Sequence, residues 1–358
     1  MQECTGLTSE AGLPGIIKYN GKVDQKAGNS VYIPFRNEKV WSFLFTGETH
    51  PEYGNKKEMK IMASCFQADT QKKFDHLVKK HPCFSGEAHF KYGRIHLPVS
   101  PACNIQCKFC KRCFNKFENR PGVAGELLTP QKAVEVLDRA LEICSDITVV
   151  GIAGPGDTLA TPHALETFEL VHAKYPELVK CMSTNGLLLR ENAERIVKAG
   201  VKTITVTVNA VNADILQNIC THIIYNGTRV TGKEAALWLL LAQMYGIKKI
   251  SELGVVVKIN TVLIPGINDG HIADIARVTA GVGASLINII PLIPQYEMAD
   301  LQPPGCRELN AAREAAEEFL PVFRHCRQCR ADAFGIPGSD NDLAGLLYDQ
   351  PLETFSHG

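Results

Sequence analysis

The chain has 358 residues, 45% hydrophobic and 21% charged, and its 38 basic residues balance its 38 acidic ones. This composition supports a large buried core, and zero net charge gives no reason to expect nucleic acid or an anionic membrane as a partner. No apolar run approaches the length of a membrane-spanning helix, and the amino terminus lacks a secretion-signal pattern. We therefore expect a cytoplasmic protein.

The first 70 residues differ from the rest of the chain. They contain short polar stretches rich in Gly, Asn and Lys, such as "KYNGKVDQKAGNS". This pattern predicts an N-terminal extension, residues 1–70, whose role the sequence does not identify. The predicted core covers residues 71–340, and residues 341–358 form a predicted C-terminal tail.

From residue 94 the chain alternates between apolar strands and helices. The strands are continuously apolar, which is typical of parallel sheets covered by helices, and they are predicted at 94–100, 146–154, 178–186, 201–209, 254–266 and 285–294. Helices are predicted to begin at Thr129-Pro130 and Thr161-Pro162, with Thr as N-cap, and to lie near 189–199, 211–221, 232–246, 269–280 and 307–320. Six units, each a strand followed by a helix and joined by right-handed crossovers, predict an α/β fold. We expect a partial (βα)6 TIM-like barrel with flanking N- and C-terminal segments.

Four of the thirteen cysteines lie in "SPACNIQCKFCKRCFN", directly after the first predicted strand. Cys103, Cys107 and Cys110 have the spacing C-x3-C-x2-C. Three thiolates on one loop can bind three irons of a [4Fe–4S] cluster and leave the fourth iron open. A zinc site more commonly has four protein ligands in C-x2-C pairs. Isolated cysteines such as Cys220 are predicted to be buried apolar residues or surface thiols.

The motif C-x3-C-x-aromatic-C, with Phe109 before its third cysteine, resembles that of the radical S-adenosylmethionine (SAM) enzymes. The resemblance implies that the open iron binds SAM and that the reduced cluster cleaves it to a 5′-deoxyadenosyl radical. "GIAGPGDTL" resembles the family's glycine-rich element, where Asp157 would accept a hydrogen bond from the SAM ammonium. "STNG" follows the third strand, and "INIIPLIP" resembles the segment that packs on adenine. The SAM-binding candidates are Gly154, Gly156, Asp157, Ser183, Thr184, Asn185 and Asn209; Asn209 is equally well explained as a turn residue, as is Asn260.

Longer segments narrow the resemblance. "KHPCFSGEAHFKYGRIHLPVSPACNIQCKFC", "FENRPGV", "CMSTNGL" and "HCRQCRADAFG" occur in this order and together closely resemble the NifB family over about residues 76–338. The resemblance is to short members, without the C-terminal cofactor-binding domain of some relatives. It implies a nitrogenase cofactor enzyme that fuses two further [4Fe–4S] substrate clusters around a SAM-derived carbide, with an extra sulfide, into an eight-iron precursor (NifB-co). The implied partners are cluster donors, cofactor scaffold or carrier proteins of nitrogenase assembly, and an electron donor such as ferredoxin.

The same resemblance implies mixed Cys and His ligands for the substrate clusters. The candidates outside the three-cysteine motif are Cys83, Cys113, Cys181, Cys326, Cys329 and His76. Cys181 is predicted to point toward the barrel mouth. His81, His89 and His96 lie in the same region, and structural hydrogen bonding explains each of them as well. Glu118 and Arg120 match a family segment in which the Glu could transfer protons or bind iron and the Arg could steady anionic clusters; Arg120 could equally form a surface salt bridge.

One position departs from the family pattern. The family has a cysteine three residues before the glutamate, where this chain has Asn115, and Cys113 lies five residues before Glu118. We predict a remodelled loop in which Cys113 supplies this thiolate; the alternative is that the ligand is lost. Two other functions stay open: another radical SAM maturase with auxiliary clusters, and a non-enzymatic cluster carrier, which would have no need of the SAM-binding elements.

Overall fold

The structure is a computed structural model that describes residues 77–115, 117–339 and 346–347, together with the backbone of Phe355–His357. The predicted N-terminal extension and most of the predicted C-terminal tail lie outside these residues. The predicted boundaries at 70/71 and 340/341 also lie outside them.

The described strands are numbered in chain order. They are β1 (Gly93–His96), β2 (Ile105–Cys107), β3 (Arg112–Phe114), β4 (Val123–Ala124), β5 (Ile147–Ile152), β6 (Val179–Thr184), β7 (Val201–Thr207), β8 (Cys220–Tyr225), β9 (Thr228–Thr231), β10 (Val256–Leu263), β11 (Leu286–Pro291), β12 (Phe334–Gly335) and β13 (Phe355–His357). The helices are α1 (Gly86–His89), α2 (Pro130–Ile143), α3 (His163–Lys174), α4 (Leu189–Lys198), α5 (Ala213–Leu216), α6 (Gly232–Glu252), α7 (Ile272–Gly281) and α8 (Cys306–Glu317). None of the helices among the described residues combines the length and apolarity needed to cross a membrane.

The main sheet has the order β11-β10-β7-β6-β5-β1-β12. Its first six members pair in parallel, for example Ile95 of β1 with Val150 of β5, and β12 adds an antiparallel edge to β1. Both faces of these strands are buried, which explains the apolar runs. Val149 and Val150 of β5, for example, point to opposite faces, and each is at most 1% exposed. The α/β half-barrel predicted from the sequence is confirmed.

Two helix predictions were wrong in detail. The second helix begins at His163, and its N-cap position is occupied by Pro162 without a side-chain cap, whereas Thr129 does cap α2 as predicted. The helix predicted near 211–221 is only the single turn α5, and the chain continues as the β8–β9 hairpin. Asn226-Gly227 forms its turn with positive φ at both residues, a strong hairpin signal that helical periodicity obscured.

The hairpin positions the cysteine loop. Strand β2 of that loop pairs antiparallel with β8, with Ile105 opposite Ile223. Further along, β3 pairs with β4 and with β13. Two small sheets therefore order the segment between β1 and α2, at the carboxyl ends of the parallel strands.

Candidate active site

The three cysteines of the motif line one cavity of about 240 Å³ at the carboxyl ends of the strands. The same cavity is bordered by loops that follow β5, β6 and β7, as expected for a parallel α/β barrel. Its wall includes Cys103, Cys107, Phe109, Cys110, Arg120, Gly156, Asp157, Ser183, Thr184, Asn185, Asn209, Cys220 and Gln243. The structure thus brings the cysteine motif together with all but one of the predicted SAM-binding residues. The exception is Gly154, which does not line the cavity.

Hydrogen bonds inside the cysteine loop, and pairing of its strand β2 with β8 of the hairpin, hold the backbone of this loop in place. Gln106 donates through Nε2 to the carbonyl oxygens of Cys107 (2.9 Å) and Cys110 (3.1 Å). Cys220 of β8 lies opposite Cys107 in the sheet. Sequence reasoning treated Cys220 as an isolated thiol; it is buried, but it lies on the cavity wall beside the motif.

Gly156 permits the close approach of the glycine-rich loop to the cysteine loop. Its amide donates to the carbonyl oxygen of Ser100 at 2.8 Å. A Cβ at this position would collide with the backbone of Ala102. Only glycine therefore fits here, and the reason is contact with another backbone segment.

Asp157 joins two strand ends through its carboxylate. Oδ1 accepts hydrogen bonds from the amide of Leu159 (2.9 Å) and the hydroxyl of Thr184, and Oδ2 accepts one from the amide of Asn185 (2.6 Å). Burial raises the pKa of Asp157, although these donors act in the opposite direction. The contacts make Asp157 an organiser of the "STNG" turn; its role toward the SAM ammonium stays a prediction.

The side chain of Asn185 extends this network to the cysteine loop. Nδ2 donates to Oδ1 of Asn104 at 2.6 Å and lies 3.8 Å from the sulfur of Cys103. The side-chain oxygen of Asn209, in contrast, accepts a hydrogen bond from the amide of Val262, as a turn residue would.

Gln243 is a cavity residue that sequence reasoning missed. It lies on α6 and is 2% exposed, and Nε2 donates to the carbonyl oxygens of Asn185 (2.7 Å) and Thr207 (2.9 Å). Its Oε1 is buried and accepts no hydrogen bond from the described residues. An uncharged amide in the otherwise apolar stretch "WLLLAQMYGI" was the available signal, since buried amides need partners.

The chemistry of the cavity fits a [4Fe–4S] cluster and SAM. Burial and the nearby charge of Asp157 raise the pKa of the Cys103 thiol to about 12, and burial also raises the pKa of Cys107 and Cys110. Metal binding must therefore displace protons from these thiols. Among the described residues, no three His, Cys, Asp or Glu side chains converge as they would around a single metal ion.

Cys113 lies beside this cavity, in a polar network of its own. Its buried thiol accepts hydrogen bonds from Nδ2 of Asn115 (2.9 Å) and from Arg120 (3.4 Å). Arg120 also pairs with Glu118 at 2.6 Å. Burial by itself would raise the pKa of Glu118. The hydrogen bond and the charge of Arg120 outweigh that effect, so the pKa of Glu118 is lowered. Arg120 is buried rather than a surface residue, and Asn115 holds the loop that carries the thiol.

Three other cysteines lie near one another in the barrel interior. Cys83 interacts electrostatically with Cys181 and Cys329, and burial raises its pKa to about 12. Cys181 packs against the apolar group Phe84, Val256, Leu286 and Phe323. Because Val256 and Leu286 begin their strands, Cys181 faces the lumen below the mouth, rather than the mouth as predicted. Cys326, the other half of the C-x2-C pair, is exposed.

The histidines differ in the nitrogen that they leave available. His96 lies with Nδ1 3.1 Å from the carbonyl oxygen of Arg330, so Nδ1 carries the proton and Nε2 keeps its lone pair, the arrangement common among metal ligands. His81 accepts a hydrogen bond from the amide of Cys83 through Nδ1, which places its proton on Nε2. His76 lies outside the described residues.

Comparison with known proteins identifies the family. The sequence matches the model of the Radical SAM superfamily over residues 97–279. The FeMo cofactor biosynthesis protein NifB of Methanocaldococcus infernus is 48% identical over 266 residues, which cover 74% of this chain and 88% of that protein. The chain belongs to the NifB family of radical SAM enzymes. The protein of the same name from Methanocaldococcus jannaschii is 47% identical with the same coverage.

Family membership makes the chain an enzyme rather than a cluster carrier, and it implies a resident [4Fe–4S] cluster and SAM. Among solved structures, a radical SAM methyltransferase from Sphaerobacter thermophilus is similar at 19% sequence identity and a TM-score of 0.47. The alignment covers 64% of this chain and 65% of the methyltransferase chain. This structural likeness adds nothing to the family assignment, which rests on the sequence relatives.

Proposed function

We propose that this NifB-family enzyme acts in nitrogenase cofactor biosynthesis and fuses two [4Fe–4S] substrate clusters into an eight-iron precursor that contains a SAM-derived carbide and one added sulfide. One observation carries the proposal. Cys83 and Cys181 pack against one apolar group in the lumen, and Cys329 contacts Arg94 of β1, so three thiols beyond those of the SAM motif lie in this region. Soft thiol ligands suit iron–sulfur clusters, as a substrate that is itself a cluster requires.

The resident cluster and SAM belong to the cavity of Cys103, Cys107 and Cys110. When bound, they supply a methyl group and a hydrogen-abstracting 5′-deoxyadenosyl radical. Asn185, held by Asp157, orients the turn that faces them, and Gly156 keeps the two loops in contact. Apolar Phe109 on the wall excludes water from the reacting groups.

The substrate clusters occupy two places around this cavity. One is bound in the lumen by Cys83, Cys181 and Cys329, with Cys326 recruited from the surface segment. The other is bound near Cys113. His96 is the proposed nitrogen ligand of a substrate cluster through Nε2. Arg120 connects this second place to the catalytic cavity, because it lines that cavity and also donates a hydrogen bond to the Cys113 thiol. Glu118 holds Arg120 and is exposed enough to exchange protons with water.

The partners proposed for this reaction follow from its chemistry. The substrate clusters come from an iron–sulfur cluster donor, the electron comes from a small reductant such as a ferredoxin, and the product passes to a cofactor scaffold or carrier protein of nitrogenase assembly. The surface segment around exposed Cys326 is the proposed route of cluster entry and exit.

The decisive experiment is anaerobic reconstitution with iron and sulfide, followed by dithionite and SAM labelled with 13C in its methyl group. We expect 5′-deoxyadenosine, S-adenosylhomocysteine and a product cluster whose paramagnetic resonance carries the 13C coupling. The Cys103→Ala variant should form none of these. Production of 5′-deoxyadenosine without S-adenosylhomocysteine or 13C incorporation would refute cluster fusion and indicate a maturase of another kind.

A further inference from the structure

Two buried cations in the barrel lumen lack a carboxylate partner among the described residues. Lys258 of β10 and Arg94 of β1 are each 6% exposed. Arg94 donates to the carbonyl oxygen of Gly335 (2.6 Å) and to the sulfur of Cys329 (3.1 Å), and its Nε has no acceptor. Among the residues that the structure describes, only neutral groups therefore contact these two cations.

The surroundings of Lys258 are still poorer in acceptors. Its ammonium donates to the carbonyl oxygen of Cys83 at 2.9 Å, which uses one of its three N–H groups. The ammonium otherwise lies over the rings of Phe84 (4.7 Å) and Phe323 (5.5 Å). Cation–π contacts stabilise a desolvated ammonium only in part.

Two other cations with little exposed surface have a carboxylate partner, and buried Lys180 has more carbonyl acceptors than Lys258. Arg330 pairs with Asp332 at 2.7 Å, and Arg120 pairs with Glu118. Lys180 donates to two carbonyl oxygens near the start of β6. An unpaired buried charge is costly, so two of them in one lumen indicate that a negatively charged occupant belongs there.

The groups around the two cations indicate the kind of anion. Lys258 interacts electrostatically with Cys83 and Cys181, and Arg94 contacts Cys329. Thiols are soft ligands that suit an iron–sulfur cluster. A cluster with thiolate ligands has net negative charge, and its sulfides accept N–H hydrogen bonds, which together match the unused donors of Lys258 and Arg94.

We propose that Lys258 and Arg94 are positioning residues that bind the anionic substrate cluster held by Cys83, Cys181 and Cys329. This inference rests on the proposed function, because it concerns the substrate site of that reaction. The thiolates bind the irons, while the two cations neutralise the cluster and orient it through its sulfides. Neither residue transfers a proton or an electron in this role.

The test uses the full chain in which Cys103, Cys107, Cys110 and Cys113 are all replaced by Ala, so that bound iron reports on the lumen cluster alone. Into this parent we introduce Lys258→Met, which keeps the apolar stem without the charge, and Lys258→Arg, which keeps the charge. Lys180→Met is the matched control, since it removes a buried ammonium that lies on the opposite face of β6 from Cys181 and donates to carbonyl oxygens before that strand. After anaerobic reconstitution, iron content and the midpoint potential of the cluster signal are measured.

We expect Lys258→Met to lose most of the lumen iron, and any cluster that remains to have a more negative potential, because a nearby positive charge favours the reduced state. Lys258→Arg should restore both quantities, and Lys180→Met should change neither. Melting temperatures separate charge from packing. Without iron, Lys258→Met should melt higher than the parent, because it no longer buries an unpaired charge; with iron it should melt lower.

Two negative results have different meanings. If the parent with Lys258 intact binds no iron, the substrate site itself is refuted and the inference falls with it. If the parent binds iron and Lys258→Met binds as much at the same potential, only the role of Lys258 is refuted. The same conclusion would follow if Lys258→Met shifted the melting temperature in one direction both with and without iron, because that is the behaviour of a residue that only fills space.

Discussion

The carboxylate of Asp157 accepts a hydrogen bond of 2.6 Å from the backbone amide of Asn185. This contact crosses from the loop after β5 to the end of β6, and the Asn185 side chain then reaches the cysteine loop at Asn104. A single buried carboxylate therefore sets the relative positions of the glycine-rich loop, the "STNG" turn and the cysteine motif.

Replacement of Asp157 by Asn tests this connection. One carboxylate oxygen becomes an NH2 group that must face the amide donor of either Leu159 or Asn185, and a buried donor without an acceptor costs about 1–3 kcal/mol. We expect SAM affinity to fall roughly tenfold or more, measured by equilibrium dialysis of the reconstituted enzyme. Asp138→Asn, which removes a half-exposed ion pair with Lys174, should leave the affinity unchanged. Equal affinities for wild type and Asp157→Asn would refute the organising role.

The glycine at 156 makes a steric prediction. Because a Cβ there would collide with the backbone of Ala102, Gly156→Ala must push apart the two loops that border the cavity. We expect a loss of about 1–3 kcal/mol in the free energy of unfolding and a loss of the SAM-binding cluster. Denaturant unfolding of the apoprotein and iron content after reconstitution measure the two effects. Gly270→Ala is the control, since nothing lies within 4 Å of a Cβ at that position.

The stability of the apoprotein should depend on pH through His96. Burial, with the charge of Arg94, lowers the pKa of His96 to about 4 from its usual 6.5. The unfolded chain therefore takes up a proton before the folded one does as the pH falls. The free energy of unfolding therefore contains a contribution from neutral His96 that is complete above pH 6.5. This contribution is lost as the pH falls from 6.5 to about 4.

The His96→Gln variant should show a weaker decline across that window, by up to about 3 kcal/mol. Urea unfolding of metal-free protein at several pH values measures the free energy of unfolding. Replacement of the exposed His172 by Gln should leave the wild-type pH profile intact. A His96→Gln profile parallel to that of the wild type would contradict the assignment.

The remodelled loop makes a prediction for Cys113. We expect Cys113→Ala to lose one substrate-cluster signal, and the iron that goes with it, while 5′-deoxyadenosine is still formed from SAM. Cys220→Ala is the matched control, because this thiol is equally buried and lies beside the motif without belonging to it. Iron analysis and electron paramagnetic resonance of both variants provide the measurement. A Cys113→Ala enzyme with every cluster signal intact would refute the remodelled loop.

The strands and helices that the sequence predicted correctly are determined by residues that are close together in the sequence. The apolar, β-branched run 147–152 predicts a buried strand from its own residues, and Thr129 caps its helix as predicted, whereas Thr161 in a second Thr-Pro pair does not. The prediction failed at 220–231, where Asn226-Gly227 closes a hairpin that pairs with the cysteine loop. The partner strand lies more than a hundred residues earlier in the sequence, so periodicity within the segment could not reveal the pairing.

The sequence by itself determined the chemistry of this protein. The spacing of Cys103, Cys107 and Cys110, and their place after the first strand, specify a three-thiolate loop because the motif is local. Only the tertiary structure decided which distant groups share a site. It placed Gln243 and Cys220 on the wall of the cavity, turned Cys181 into the lumen, and left Lys258 buried beside thiols without an acid partner among the described residues. Those relationships depend on the curvature and register of the sheet, which are set by the packing of all the strands together.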